Sequence, residues 1–188
     1  MTWQIPDTFI FKGLQAKAFA FSDKIDFSPW KAFSLETVRW STANHRGFWC
    51  DYKIEEKLII INLHLVTKDL VYPPLMNVLA EEDPIYKEIR DRFGRNIPFP
   101  MQYSNIDYEV DYTGKMVLGI DFDRSQDDRY KQVLELGFEH GILMDTIDIT
   151  TIWKASKKKD IIAPDDIWWM KEKNDYYYRL NYGDWGKS

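Results

Sequence analysis

The sequence predicts an α+β, mainly β fold: an antiparallel sheet that curls toward a barrel or sandwich, with one or two inserted helices. About seven to nine short segments alternate apolar and polar residues, and most of them form adjacent pairs joined by turn residues. Aromatic residues, which favour strands, make up 16% of the 188 residues. Helical spacing is clear in one segment only. Strands in sequential hairpins favour an antiparallel sheet, so the chain is expected to form a single domain over residues 1–188.

The first predicted hairpin pairs residues 8–12 with residues 17–21 around Gly13, which suits a turn because it adopts positive φ freely. Residues 22–30 are interpreted as a loop that ends at the pair Ser28 and Pro29.

The clearest hairpin covers residues 47–66, with Glu55 and Glu56 as its turn. This register places one apolar face in the core, made by Phe48, Cys50, Tyr52, Ile54, Ile59, Ile61 and Leu63. The opposite face carries Trp49, Asn62 and His64, together with Leu58 and Ile60. That second face is either partly exposed to water or one wall of a cavity or contact surface.

One helix is predicted between Asp83 as its cap, Pro84 as its first residue and Gly94 as its stop. A shorter helix is predicted to begin at Pro73 and Pro74.

After Gly114 the pattern returns to strands. A strand over residues 114–122 precedes a hairpin of residues 132–138 and 142–149, with a three-residue loop that ends at Gly141. A last strand is expected over residues 176–182, followed by a loose tail over residues 183–188.

Composition favours an intracellular, cytoplasmic protein. The single cysteine, Cys50, allows no internal disulfide, which is typical of a reducing compartment. The first residues lack the pattern of a signal peptide, and no apolar run approaches the length that spans a bilayer. The formal net charge of −5 argues against a nucleic-acid partner.

Recognised catalytic, cofactor and metal motifs are absent from the sequence. It has no P-loop, no GxGxxG, no HExxH, no CxxC and no GxSxG, so no cofactor, metal ligand or catalytic residue is assigned. Cys50 lies on the predicted core face, where burial makes a thiol unreactive.

Four residues of the central hairpin region are candidates for binding. Trp49, Asn62 and His64 combine an aromatic ring with polar groups, as ligand pockets and interface centres do. Arg46 is suited either to hold a carboxylate or phosphate of a ligand, or to pair with an acidic residue of the chain itself.

The end of the sequence carries the second candidate binding surface. Its aromatic residues include Trp168, Trp169 and Tyr177. Neighbouring residues of a strand point to opposite faces, so part of this aromatic surface is expected to be exposed and to contact another protein.

Several motifs resemble a group of small, uncharacterised bacterial proteins, over about residues 8–150. They are STANHRGF (41–48), YKI (52–54), LII (58–60), YTGK (112–115), GIDF (119–122) and LGFEHGIL (136–143). The group often has an aromatic residue where this chain has His45. Proteins of this kind are similar in size and charge to immunity proteins of bacterial toxin systems. The resemblance carries no catalytic residues.

Three function classes follow. The acidic charge, the aromatic surface and the missing motifs favour a non-catalytic protein-binding module, with a basic toxin as the expected kind of partner and no role at a membrane. A second class is a small-ligand-binding barrel that uses Trp49, Asn62 and His64. A third is an enzyme of unrecognised type that draws on His45, Arg46, His64 or the pair Glu139 and His140.

Overall fold

The structure is a computed structural model that describes residues 7–39, 41, 44–93, 100–122 and 130–157. Nine strands and three short helices lie in these ranges. They are β1 (Thr8–Phe11), β2 (Leu14–Phe21), α1 (Pro29–Phe33), β3 (Phe48–Ile54), β4 (Leu58–Leu65), β5 (Glu81–Glu82), α2 (Pro84–Phe93), β6 (Met101–Glu109), β7 (Gly114–Phe122), β8 (Tyr130–Glu139), β9 (Ile142–Asp148) and α3 (Thr150–Lys157).

The predicted α+β, mainly β class is confirmed. The strands hydrogen-bond in the order β5-β6-β4-β3-β1-β2-β7-β8-β9, so the sheet is open and has β5 and β9 at its ends. It is a mixed sheet. The pairs β1/β2, β2/β7, β5/β6, β7/β8 and β8/β9 are antiparallel.

Two compact units make up the chain, and the prediction of one domain over residues 1–188 stays a prediction. Unit 1 comprises Met1–Asp7, Phe27–Tyr52 and Ile60–Tyr108. Unit 2 comprises Thr8–Asp26, Lys53–Ile59 and Glu109–Ser188.

Unit 1 contains α1, which begins where the sequence suggested a loop. The Ser28 side chain accepts a hydrogen bond from the Lys31 amide, and Pro29 occupies the first helical turn. The helix positions Phe33 against Tyr108, with ring centroids 5.2 Å apart, and Phe27 lies 5.5 Å from the same ring. An aromatic cluster therefore anchors α1 in this unit.

Unit 2 contains the antiparallel strands β7, β8 and β9. The even-numbered residues Met116, Leu118 and Leu136 are buried on one face. On the other face, Val117 and Val133 form a core with Phe19 and Trp153 of α3. The Phe19 and Trp153 rings stack with centroids 4.8 Å apart. Helix α3 therefore covers one face of this part of the sheet.

The predicted helix at Pro73 and Pro74 is wrong. Residues 71–80 contain no helix; Leu75 and Val78 instead exchange two backbone hydrogen bonds of 2.9 and 2.8 Å. The two residues between them, Met76 and Asn77, have φ of 48° and 67°. This is the conformation of a tight hairpin turn, and the Leu75–Val78 cross-pair and the burial of Leu75 stabilise it over a helix.

Two details of the predicted hairpins also differ. Glu139 pairs with Ile142, so the β8–β9 loop has two residues rather than three. In β4 the buried apolar residues are Leu58 and Ile60, then Leu63 and Leu65, whereas Ile59 and Ile61 are only half-buried. The alternation changes phase between Ile60 and Leu63, so the predicted core face of this strand is correct only at Leu63.

The remaining sequence predictions near the C-terminus lie outside the described residues. They are the binding residues Trp168, Trp169 and Tyr177, the strand over residues 176–182 and the tail over residues 183–188.

Candidate functional site

Three predicted binding residues, Trp49, Asn62 and His64, lie together in unit 1. Trp49 is on β3, and Asn62 and His64 are on β4. The rings of Trp49 and His64 stack, with centroids 4.6 Å apart and planes 9° from parallel. The hypothesis that these side chains form one cluster is therefore supported by the geometry.

His64 lies between two carboxylates. Its Nδ1 is 2.8 Å from Oδ2 of Asp83, and its Nε2 is 3.4 Å from Oδ2 of Asp51. A doubly protonated ring donates from both nitrogens, whereas a neutral ring donates from only one. The exposed fraction is 7% for His64 and 4% for Asp83, so this pair is held away from water.

Asp51 connects His64 to Asn62. The Asn62 side-chain amide donates to Oδ2 of Asp51 at 2.8 Å, and its carbonyl oxygen accepts from the Asn105 backbone amide at 3.3 Å. Asn62 therefore ties β3, β4 and β6 together through polar contacts. A buried polar network of this kind is stable only when its members are satisfied.

Asp83 has a second role at the start of α2. Its carboxylate accepts from the Tyr86 amide at 3.4 Å, as a residue at a helix N-terminus does. The Tyr86 ring lies 6.1 Å from that of Trp49. Burial and the nearby Asp83 charge raise the pKa of Tyr86. The predicted cap at Asp83 is thus confirmed, and the same carboxylate also orients His64.

Sequence reasoning missed Asp51 and Asp83 as partners of His64. The sequence gives Asp51 no role, and it indicates Asp83 only as a helix cap. The signal that identifies them is the burial of a histidine in an aliphatic strand, because a buried ionisable ring requires partners.

The arrangement of His64 favours a structural role. Both of its ring nitrogens face carboxylates and its ring face is covered by Trp49. A general base needs a nitrogen within hydrogen-bond reach of a substrate. Within the described ranges, no group of three or more His, Cys, Asp or Glu residues is arranged to hold a metal ion.

Arg46 pairs with an acidic residue of its own chain, which is one of the two alternatives that the sequence leaves open for it. Its guanidinium makes two hydrogen bonds to the Asp7 carboxylate, of 3.0 and 2.8 Å, and lies over the Phe48 ring. Asp7 also accepts from the Cys50 amide at 2.9 Å. Burial lowers the pKa of Arg46, but the charge and hydrogen bonds of Asp7 outweigh it and the net shift is upward.

Cys50 is buried next to this ion pair. Burial, followed by the Asp7 charge, raises the pKa of its thiol well above the ordinary value. Burial likewise raises the pKa of Tyr52. The prediction of an unreactive core cysteine agrees with this environment.

The other histidine candidate, His140, lies in unit 2 at the tip of the β8–β9 hairpin. Its Nδ1 is 3.1 Å from Oδ1 of Asp111, and both side chains are exposed. His140 thus belongs to unit 2, whereas the cluster around His64 belongs to unit 1.

Comparison with known proteins returned no match to a family model, to a curated protein or to a solved structure. Among the described residues, no helix has the length and apolar character needed to cross a membrane.

Proposed function

We propose that the protein is a non-catalytic protein-binding module whose partner is basic, as a toxin neutralised by an immunity protein is. The observation that carries this proposal is a segment of unit 1, residues 69–82, which exposes four large apolar side chains. These are Leu70, Val71, Met76 and Leu79, with exposed fractions of 54–68%. A concentration of exposed apolar side chains on one short segment is typical of a protein contact surface.

The backbone of the 69–82 segment is held in place although its side chains are exposed. Leu75 is buried and pairs with Val78 across the tight turn. The Thr67 hydroxyl donates to the Val71 carbonyl at 3.1 Å. A binding surface fixed in advance loses less conformational entropy when its partner docks.

Tyr103 holds the middle of the same segment. Its hydroxyl donates to the Pro73 carbonyl at 2.8 Å, and its side chain is fully buried. Burial raises the pKa of Tyr103 to about 12, so the donor keeps its proton throughout the physiological range.

The charge of the segment supports a basic partner. Residues 69–82 include Asp69, Glu81 and Glu82 but no lysine or arginine. The whole chain has a formal net charge of −5. Complementary charge around an apolar centre accelerates association. Rising salt screens this attraction and therefore weakens binding.

The test begins with the tagged full-length chain in lysate of its native host, at low and high salt. We expect one basic companion in stoichiometric amount, bound less tightly at high salt. Replacing Val71 and Leu79 by serine should weaken its binding at least about tenfold, since buried interface anchors contribute more than ~1 kcal/mol each. The matched control is Leu14→Ser, at a leucine of unit 2 that is 55% exposed.

The immunity function adds a second requirement. Expression of the companion alone should stop growth of a test strain, and co-expression of this chain should restore it. If the companion still binds the variant with Val71 and Leu79 replaced by serine, the proposed surface is contradicted. The same holds if Leu14→Ser weakens binding equally. A companion without toxicity contradicts the immunity function and leaves protein binding in place.

A further inference from the structure

Strand β9 of unit 2 is an edge strand with an unusual surface. It ends the strand order of the sheet, and β8 is its neighbour there. Six of its seven residues are exposed, among them Ile142, Met144 and Ile147, and Met144 reaches 61%. Exposed apolar edge strands are templates for pairing with another chain, and proteins ordinarily protect them.

The hydrogen-bonding phase of β9 shows which backbone groups face outward. The Ile149 amide donates to the Val133 carbonyl at 2.9 Å, so Ile149 faces β8. The register continues without a shift through the pairs of Glu135 with Ile147 and Leu136 with Thr146. Because facing alternates along an antiparallel pair, Ile147 also bonds to β8. Thr146 and Asp148 consequently direct their backbone N–H and C=O groups away from β8.

Only the beginning of this outer edge is occupied by described residues. Ile142 forms a bridge with Lys57, and the Leu143 amide donates to the Glu56 carbonyl at 2.8 Å. From Met144 to Asp148, none of the described strands pairs with the outer side. A stretch of about five residues is the usual length of a strand in a globular protein.

The charge on this edge selects among possible occupants. Asp145 and Asp148 belong to β9, and residues 139–148 include no lysine or arginine. Lys57, at the beginning of the edge, pairs with Glu109 at 2.6 Å. Hydrogen bonds from the Thr150 side chain, then from Gln132, lower the pKa of Asp148, so it stays ionised at neutral pH. Like charges placed opposite each other on paired strands are destabilising. A second copy of β9 therefore pairs poorly with the first. An extended segment that carries lysine or arginine instead complements Asp145 on one face of the strand and Asp148 on the other.

We propose that the outer edge of β9, from Met144 to Asp148, binds an extended basic segment of a partner protein by strand addition. The segment's backbone bonds to the outward groups of Thr146 and Asp148, and its basic side chains lie beside Asp145 and Asp148. Main-chain hydrogen bonds supply affinity in this mode, and side chains supply specificity. This surface lies in unit 2 and does not depend on the 69–82 segment of unit 1.

The test uses the full-length chain and two short synthetic peptides, one of alternating lysine and valine and one of alternating glutamate and valine. Fluorescence anisotropy should show saturable binding of the lysine peptide, at least about tenfold tighter than the glutamate peptide. The substitution Thr146→Pro removes the outward N–H while the bonds of Ile147 to β8 remain. Thr146→Pro should weaken binding of the lysine peptide at least about tenfold. Thr146→Val, which keeps the N–H, should change the affinity less than about twofold.

Circular dichroism shows whether Thr146→Pro is folded. A second variant tests the proposal independently of that proline. In Asp145→Lys the preference should move from the lysine peptide toward the glutamate peptide. Equal binding of both peptides, no binding of either, or indifference to Thr146→Pro in a folded protein overturns the proposal. Dimerisation in sedimentation that Thr146→Pro abolishes also overturns it, in favour of a second copy. Preferential binding of a synthetic 158–188 peptide at this edge also overturns it, in favour of the chain's own C-terminal segment. The substitutions Val71→Ser and Leu79→Ser should leave peptide binding unchanged, which separates this inference from the proposed function.

Discussion

Removing the His64 side chain should destabilise the protein more than any surface substitution. In His64→Ala, the Asp83 carboxylate loses the partner that lies 2.8 Å away, in a position where only 4% of the residue is exposed. Trp49 loses the ring stacked on it. Both effects act in the same direction, because the first removes one hydrogen-bond partner of a buried carboxylate and the second leaves a cavity.

The magnitude follows from these two contacts. Removing one hydrogen-bond partner of a buried polar group costs about 1–3 kcal/mol. The lost stacking contact is part of the same truncation and contributes about 0.5–1.5 kcal/mol. We therefore expect a loss of about 2–4 kcal/mol in the free energy of unfolding, which is a large share of the ~5–15 kcal/mol by which an ordinary domain is stable.

The assay is urea unfolding of wild type, His64→Ala, Asp83→Asn and the double variant, followed by tryptophan fluorescence. Asp83→Asn keeps an oxygen for the Tyr86 amide and removes the charge. The double variant should be destabilised less than the sum of the single variants, with a coupling energy between His64 and Asp83 of about 1–3 kcal/mol. Asp111→Asn is the matched control, because it changes an aspartate beside the exposed His140.

Two results would refute this reasoning. A loss below about 1 kcal/mol in His64→Ala would show that Asp83 is adequately hydrated without its partner. Additive single variants would show that the 2.8 Å contact does not couple the two residues.

Three further predictions concern backbone conformation and pH. Gly13 and Gly141 both have positive φ, but a Cβ at Gly13 meets nothing, whereas one at Gly141 meets the Val110 carbonyl oxygen. Gly13→Ala should thus cost about 1–2 kcal/mol in thermal or urea unfolding, and Gly141→Ala clearly more; equal costs would contradict the close approach. The folded-state pKa values of Cys50 and Tyr52 are raised above 9.0 and 10.0, so their stabilising contribution is complete below those values and is lost as pH rises toward the folded-state pKa. Stability should therefore fall above about pH 9, with a smaller slope in Cys50→Ala; an unchanged slope would exclude the thiol as a cause. Cys50 should also resist a thiol reagent at pH 8 until urea unfolds the chain, and rapid labelling of the native protein would disprove its burial.

Local pattern was sufficient for most strands and for the main helix. Hairpins form near Gly13, Glu55 and Gly141, where turn residues and alternation predict them, but the turn after β3 is one residue longer than predicted and the β8–β9 loop one residue shorter. Helix α2 begins at Pro84 after the Asp83 cap, as expected. These features depend on φ preferences and on side-chain periodicity, which neighbouring residues determine.

Local pattern failed where two signals compete over a short distance. Pro73 and Pro74 suit the start of a helix, but the following turn at Met76 and Asn77 is stabilised by its own cross-pair and by burial of Leu75. The sequence does not predict strand β6, because the polar residues Asn105 and Asp107 interrupt its alternation. In the structure both residues have positive φ. In β4 the change of phase has the same effect on the predicted core face.

The sequence by itself determined the fold class, the hairpins and the proximity of Trp49, Asn62 and His64, because all of these depend on residues that are near one another in the chain. Only the tertiary structure determined which partners the binding candidates contact. It brought Asp83 to His64 across 19 positions and Asp7 to Arg46 across 39. Thirty acidic residues offer each cation many possible partners, and only the packing of distant segments selects one. The same packing buried the cluster around His64 and left the 69–82 segment and β9 exposed, which is why binding is proposed there.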